Sequence, residues 1–259
     1  MEVRISPALR SAYDEQYSDE LTSWRELGAK YKAQNILAVC RGQRFDKVLE
    51  CGAGEGSVLK FLDEAKAFGE LSAIEISDSG IAQIIKRHLP RLREVRKFDG
   101  YEIPYPDRHF DMVYCSHVLE HVEHPRLLLR ELKRVARFQV LEVPLDYSPT
   151  VDEHVRDLLS YGHINVYSPA LFRFVLRSEG FEIVAEKLSR DAPEVLRCAR
   201  LRNTGMPMGI KGEIKLRLAP LLDAARRVKR ARALCDEHGF SAYTCLARDV
   251  GELKVLGGP

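Results

Sequence analysis

Four short apolar runs in this chain end on a polar residue able to hold a ligand: VLE at Glu50, AIE at Glu75, KFD at Asp99 and YCS at Ser116. Carboxylates at strand ends can accept hydrogen bonds from hydroxyls or hold a cation. Directly after Glu50 comes CGAGEGS, in which Gly52, Gly54 and Gly56 permit a tight turn and close backbone approach to a ligand. A strand, a glycine turn and a helix N-terminus together offer backbone N–H donors. Glu50 would repel a pyrophosphate there but suits a ligand with a cationic ammonium group. A second set is made of histidines: His117, His121, His154 and His163. Imidazole titrates near neutral pH and is the usual base for a hydroxyl nucleophile. His163, after Gly162 on a polar stretch, is the first candidate base and His154 the second. His154 reads equally as a solvated residue one turn from Asp157. His121, inside LEHVEHP, is expected to make a structural hydrogen bond to the following turn.

These residues need a scaffold that gathers strand ends. Apolar runs at 47–49, 71–76, 94–98, 110–115 and 138–143 alternate with helical spacing, such as Ile81, Ile84 and Ile85 and the stretch 125–136. Ser77 or Asp78 is a natural helix cap, and Ser168-Pro169 opens a helix that Gly180 stops. Such alternation calls for an α/β fold with a parallel sheet covered on both faces, which binds ligands at the carboxyl ends of its strands. Residues 1–40 look helical, with Leu21, Trp24, Leu27 and Tyr31 at three to four residues and Tyr13 and Tyr17 four apart. They form an amphipathic cap on the sheet edge, a lid over the ligand, or both. Residues 144–166 read as a long polar loop. Two more strands, 181–188 and 241–247, are too far apart for a hairpin, so 193–239 is expected to be a helical insertion broken or kinked at Pro220. Residues 41–192 and 240–259 form the main domain.

Apolar residues make up 45% of the 259, enough for a sizeable core. No signal-peptide core or membrane-length apolar run is visible, and six cysteines show no CxxC spacing. A reduced, cytoplasmic protein without a metal site is expected. Between Arg197 and Arg232 eleven basic residues face only Glu213 and Asp223, a local charge of +9. The remainder therefore carries −7 of the net +2.

A glycine turn with an acid at the next strand end has two readings. A dinucleotide fingerprint needs Gly or Ala three residues after its second glycine, and Ser57 stands there. The other reading takes in more of the chain. ECGAGEG resembles the first motif of the class I S-adenosylmethionine-dependent methyltransferases, LSAIEIS the second, FDGYEIPYPDRHFDMVYCSHVLEHVEHP the third and fourth, and GHINVYSP…LRSEGF a later segment. The resemblance runs in order from about Lys47 to Leu188 and is nearest to the small-molecule enzymes with a "VLEHV" stretch. It implies the seven-stranded, doubly wound, Rossmann-like fold with an antiparallel last strand, departing only at 193–239. It also implies S-adenosyl-L-methionine as cofactor. Gly52, Ala53 and Gly54 would lie on its methionine part and Glu50 would hold the ammonium. Glu75 would accept from the ribose hydroxyls, Ile76 would pack on adenine, Asp99 would accept from the adenine amino group and Gly100 would flank the ring. Ser116 and His117 would close the site beside the sulfonium.

The expected reaction is O-methylation of a small polar acceptor such as a sugar or secondary metabolite, since the His-, Asp- and Tyr-rich stretch 144–167 supplies polar contacts. N- or C-methylation, a non-catalytic binding protein and a nicotinamide oxidoreductase remain the alternatives. The basic stretch reads as a solvated helical pair, a surface for an anionic acceptor or membrane, or a homodimer contact. It lacks interleaved aromatics, so nucleic acid is not expected.

Overall fold

The computed structural model describes Ser11, residues 22–214, 216–218 and 239–251, with backbone alone at 22–24 and 203. Tyr13, Tyr17, Leu21, the Trp24 side chain and Pro220 lie outside the described residues.

Chain order is α1 (Thr22–Val39), β1 (Lys47–Cys51), α2 (Ser57–Glu64), β2 (Glu70–Glu75), α3 (Asp78–Lys86), β3 (Leu92–Lys97) and β4 (Phe110–Ser116). There follow α4 (Pro125–Val135), β5 (Ala136–Pro144), α5 (Val155–Ser160), α6 (Pro169–Ser178), β6 (Phe181–Ser189), α7 (Pro193–Thr204) and β7 (Ala242–Asp249). All seven strands join one sheet in the order β3-β2-β1-β4-β5-β7-β6. The first five are mutually parallel, and β7 enters antiparallel between β5 and β6.

The inner strands β1, β2, β4, β5 and β7 are buried on both sides because helices cover both faces, while the edge strands β3 and β6 carry charged, exposed positions. On one face Leu49, Val113, Cys115, Leu141 and Tyr243 pack with Leu128, Leu129 and Leu132 of α4 and Phe172 and Leu176 of α6. On the other, Val48, Ala73, Met112, Tyr114 and Val140 meet Ile36 and Val39 of α1, Leu59 and Leu62 of α2 and Ile84 of α3. The expected cap on α3 forms, with the Ser77 side chain accepting from Gly80 N. Ser168 likewise accepts from Leu171 N at the start of α6.

The stretch 144–166 is not all loop. It holds a 3-10 turn at Val151–His154 that runs into the six-residue α5. Neither buries a residue, and Val155 and Leu159 are exposed, so no apolar stripe announced them. Within 193–239 the described residues hold α7, packed beside α1 through the Tyr31 hydroxyl, which donates to Glu194, and further helix at 210–214 and 216–218. Among the described residues no helix is long and apolar enough to cross a membrane.

Candidate functional site

Strand order reverses between β1 and β4, the crevice where such sheets place ligands. Gly52 turns the chain there with φ +74°, and a Cβ on it would lie 2.5 Å from Val118 Cγ2. Only glycine fits this position. Behind the turn, α3 approaches so closely that a Cβ at Gly80 would fall 2.6 Å from Gly54 O. The turn's amides are already used: Gly52 and Ala53 N–H donate to Ile74 O, Gly56 N–H to Ala53 O, and Gly54 N–H to Glu75 Oε2 at 2.7 Å. The N–H donors expected to face a ligand at these four residues are thus satisfied internally, as buried amides must be.

A cleft of about 340 Å³ opens between this turn, α1 and the start of α7. Glu50, Gly52, Ala53, Gly54, Ser116 and His117 all line it. Glu50 is 3% exposed and accepts from the Tyr114 hydroxyl at 2.8 Å, its neighbour across the β1–β4 register. Burial pushes the Glu50 carboxyl up to about 8, with the Tyr114 bond pulling the other way and the Glu75 charge adding to the rise. Glu75 is likewise raised by burial, against the hydrogen bonds from Ser77 and Gly54. Ile76 sits in the core, and Asp99 Oδ1 accepts from the amides of Tyr101 and Glu102 in the loop after β3. Glu75, Ile76, Asp99 and Gly100 lie at the carboxyl ends of β2 and β3, outside the lining of this cleft.

His117 has a left-handed backbone, φ 56°, which is uncommon for residues other than glycine, though histidine is among those that adopt it most. Its Nδ1 lies 3.4 Å from Glu120 Oε1, and His121 Nε2 lies 3.7 Å from the same oxygen. Burial opposes the Glu120 charge, yet the two imidazoles outweigh it and hold the carboxyl at about 2. His121 Nδ1 meets Gly162 O at 2.9 Å, so its structural bond goes to the 162 loop rather than the following turn. Burial lowers its pKa more than Glu120 raises it. His163 Nδ1 lies 2.6 Å from Asp146 Oδ2, and its ring is 5.0 Å from that of His121. Burial pulls His163 down, but the Asp146 bond and the Glu120 charge leave its pKa raised. His154 stands apart, with its side chain 58% exposed and 4.0 Å from Asp157. It shares only an outer hollow with His163, Asp146 and Tyr161.

A sequence profile described as a methyltransferase domain matches residues 13–186, two thirds of the chain. The chain belongs to the class I S-adenosylmethionine-dependent methyltransferase family. The chain is 34% identical over 119 residues to YrhH of Bacillus subtilis, a protein named as a methyltransferase, covering 43% of this chain and 66% of YrhH. Across three such relatives it spans 30 to 66% of their own length. Its fold matches one chain of the complex between the Haloferax volcanii Trm112 methyltransferase activator and a methyltransferase. That match has TM-score 0.62 and 17% identity, over 90% of this chain and 99% of the other. It also matches a geranyl diphosphate methyltransferase in complex with SAM, with TM-score 0.58 and 14% identity over 85% of each chain.

Sequence reasoning missed the floor of the cleft. Glu142, fully buried, accepts from Ser116 Oγ at 2.6 Å, Asn35 Nδ2 at 2.7 Å and Thr244 Oγ1 at 3.0 Å. Sheet register sets Ser116, Glu142 and Thr244 side by side on β4, β5 and β7. The signal was present, since FQVLEV carries an acid at its penultimate position, as KVLEC does at Glu50. It also missed the roof, where Arg87 joins Glu26 of α1 to Ser57 and Glu55 of the glycine-turn region.

Proposed function

We propose that this protein transfers the methyl group of S-adenosylmethionine to an oxygen of a small polar acceptor. The observation that carries the reading is the cleft lined by Glu50, Glu55, Glu142 and Asp191 together with Arg25, Lys32 and Arg190, beside a glycine turn whose Gly52, Ala53, Gly54 and Gly56 amides are already satisfied. A zwitterionic amino-acid moiety would find both signs of charge in this lining, whereas the amides of Gly52, Ala53, Gly54 and Gly56 are not open to a pyrophosphate. A ligand bearing an ammonium and a sulfonium would find Glu50, whose carboxyl, protonated in the free protein, gives up its proton to pair with the ammonium.

In this reading Gly52, Ala53 and Gly54 form the wall against the methionine part. Glu75 would accept from the ribose hydroxyls beside the Gly54 N–H on Oε2 and the Ser77 N–H on Oε1. Ile76, Asp99 and Gly100 would receive the adenine, and Ser116 and His117 would lie beside the sulfonium. The sulfonium is already activated, so the protein aligns the nucleophile and excludes water. Activation of the hydroxyl rests on the imidazole and carboxylate cluster around Glu120, which His117 joins to the cleft and to which His163 belongs. His154 lies too far out on the surface to share that part. The root of the 193–239 segment, Ala192 and Val195, also lines the cleft, which supports a role for it at the acceptor side.

Calorimetry with S-adenosylhomocysteine against NAD(H) and NADP(H) tests the cofactor class, and binding of a dinucleotide alone would refute it. A mass-spectrometric screen of a metabolite extract for gain of one methyl group tests the acceptor. A product methylated on nitrogen or carbon would overturn the oxygen assignment. Tight cofactor binding with no product from any acceptor would favour a binding protein.

A further inference from the structure

Glu120 is fully buried, and among the described residues neither of its carboxylate oxygens meets a donor in hydrogen-bonding geometry. A buried carboxylate left this way is costly unless something compensates it. What surrounds it is a set of nitrogens with lone pairs to give. One ligand atom each from Glu120, His121 and His163 lies within 4.8 Å of the other two. The rings are held in the tautomer that this requires. His121 Nδ1 faces the carbonyl of Gly162, which can only accept, so Nδ1 carries the hydrogen, and Nε2, 3.7 Å from Glu120 Oε1, is the ring atom able to bind a cation placed between them. His163 Nδ1 is set against Asp146 in the same way, which leaves its Nε2 as the donor atom. A carboxylate or carbonyl behind the imidazole is the usual support of a metal-binding histidine.

The backbone fixes this arrangement across forty-odd residues of sequence. Ile164 and Asn165 N–H both donate to Glu120 O, and Asn165 Nδ2 donates to Leu119 O and Val122 O. The 3-10 turn that carries Glu120 and His121 and the loop that carries His163 are therefore one rigid unit. Access exists as well: His163 and Asp146 line an outer hollow of about 450 Å³, and His117 lines the cofactor cleft. His163 thus reaches the outer hollow, and His117, whose Nδ1 lies 3.4 Å from Glu120, reaches the cleft.

We propose that Glu120, His121 and His163 bind one divalent transition-metal cation, with Asp146 orienting His163 and His117 able to add a fourth donor. Two imidazoles and one carboxylate suit Zn²⁺, Fe²⁺, Mn²⁺ or Co²⁺ and not the all-oxygen preference of Ca²⁺ or Mg²⁺. The set contains no cysteine, so cysteine spacing could not reveal it. Resting on the methyl-transfer reading, the cation would take the acceptor hydroxyl as a ligand and let it lose its proton to water at neutral pH. The oxygen anion then attacks the methyl carbon. The new O–C bond forms as the C–S bond breaks, and the electron pair stays on sulfur as a neutral thioether.

The test is direct metal binding by the full-length chain. Protein stripped with a chelator is titrated with ZnCl₂, MnCl₂ and CoCl₂ by calorimetry, and the cobalt form is read by its visible d–d bands. One saturable site is expected, weakened at least tenfold in His163→Gln and Glu120→Gln, and about 10–100-fold in Asp146→Asn. His154→Ala, outside the cluster, should bind as the wild type does. Binding of S-adenosylhomocysteine within twofold of wild type shows each variant is folded. Asp146→Asn and His163→Gln carry the test if Glu120→Gln fails that check. No saturable site for any of the three metals, or a site indifferent to His163→Gln and Asp146→Asn, would overturn the proposal. The two readings fail separately. Metal binding without S-adenosylhomocysteine binding would sink the methyl-transfer reading and leave the site standing, and the reverse result would sink only the site.

Discussion

Replacing Glu50 by Gln removes the ability to ionise while keeping the shape, and the cleft geometry gives opposite consequences for the free and the bound protein. Glu50 is buried and its pKa is raised from 4.5 to about 8. A tenfold change in proton affinity is worth about 1.4 kcal/mol, so ionising this group in the folded, ligand-free protein costs on the order of 5 kcal/mol. The folded-state pKa lies above the unfolded one, so the folded protein binds the proton more tightly than the unfolded chain. Stability tied to Glu50 is therefore full below about pH 4.5 and is lost as pH rises through about 8. Glu50→Gln should match the wild type near pH 5 and exceed it by several kcal/mol near pH 9, read by urea unfolding without ligand. Binding should reverse the order. An ammonium docked on Glu50 favours the carboxylate, so the wild type should release close to one proton at pH 7, about 0.9 from a pKa of about 8. Its affinity for S-adenosylhomocysteine should rise nearly tenfold for each step of one in pH between about 6 and 7.5, while the Gln variant stays weak and flat. Calorimetry in two buffers of different ionisation enthalpy counts the proton. A wild type that releases none, with affinity independent of pH and equal to the variant's, would refute the placement of the ammonium.

Glu75→Ala removes the acceptor of Gly54 N and Ser77 N as well as any ribose contact. At about 1.5–3 kcal/mol per charged hydrogen bond, S-adenosylhomocysteine affinity should fall at least tenfold; unchanged affinity in calorimetry would mean that the carboxylate serves only the turn. Gly80→Ala puts a Cβ 2.6 Å from Gly54 O and should destabilise by about 1–3 kcal/mol in urea unfolding. No change there would mean that α3 can move off the turn freely. Shortening 195–238 to a tight turn removes most of α7 and the basic segment while leaving the glycine-turn half of the sheet in place. Cofactor affinity should persist and acceptor turnover or dimerisation should drop; a monodisperse, fully active product unchanged in oligomeric state would show the segment to be dispensable.

Much of the sheet was legible because the apolar runs are strand-length and end on punctuating residues. Gly52 and Pro144 close two of them, and Ser77 and Ser168-Pro169 open helices with their expected caps. The residues gathered at the strand tips were legible for the same reason: Glu50, Ser116 and His117 each end or follow such a run. The rest depends on distance in space. Nothing local ties His163 to Glu120, which lie on a loop and a turn more than forty residues apart and meet through backbone bonds of Ile164 and Asn165. Asn35 bonds Glu142 from a helix at the other end of the sequence. The glycine turn misled in one respect, because its amides are turned inward to Ile74 and Glu75. Helix α5 escaped notice because it buries nothing, and periodicity only reports faces that are buried.

The late arrival of β7 has a consequence for how a ribosome must deliver this protein. β5 and β6 are synthesised well before β7, yet they never touch as partners, because β7 enters between them. A nascent chain that has emerged only to residue 192 carries the whole glycine turn and every histidine of the Glu120 cluster. It still lacks Thr244 against Glu142, and β6 has no neighbour to pair with. The floor of the cleft closes only when the last strand slides home, so a message cut short before β7 would yield a product with all its chemistry written and an unfinished pocket.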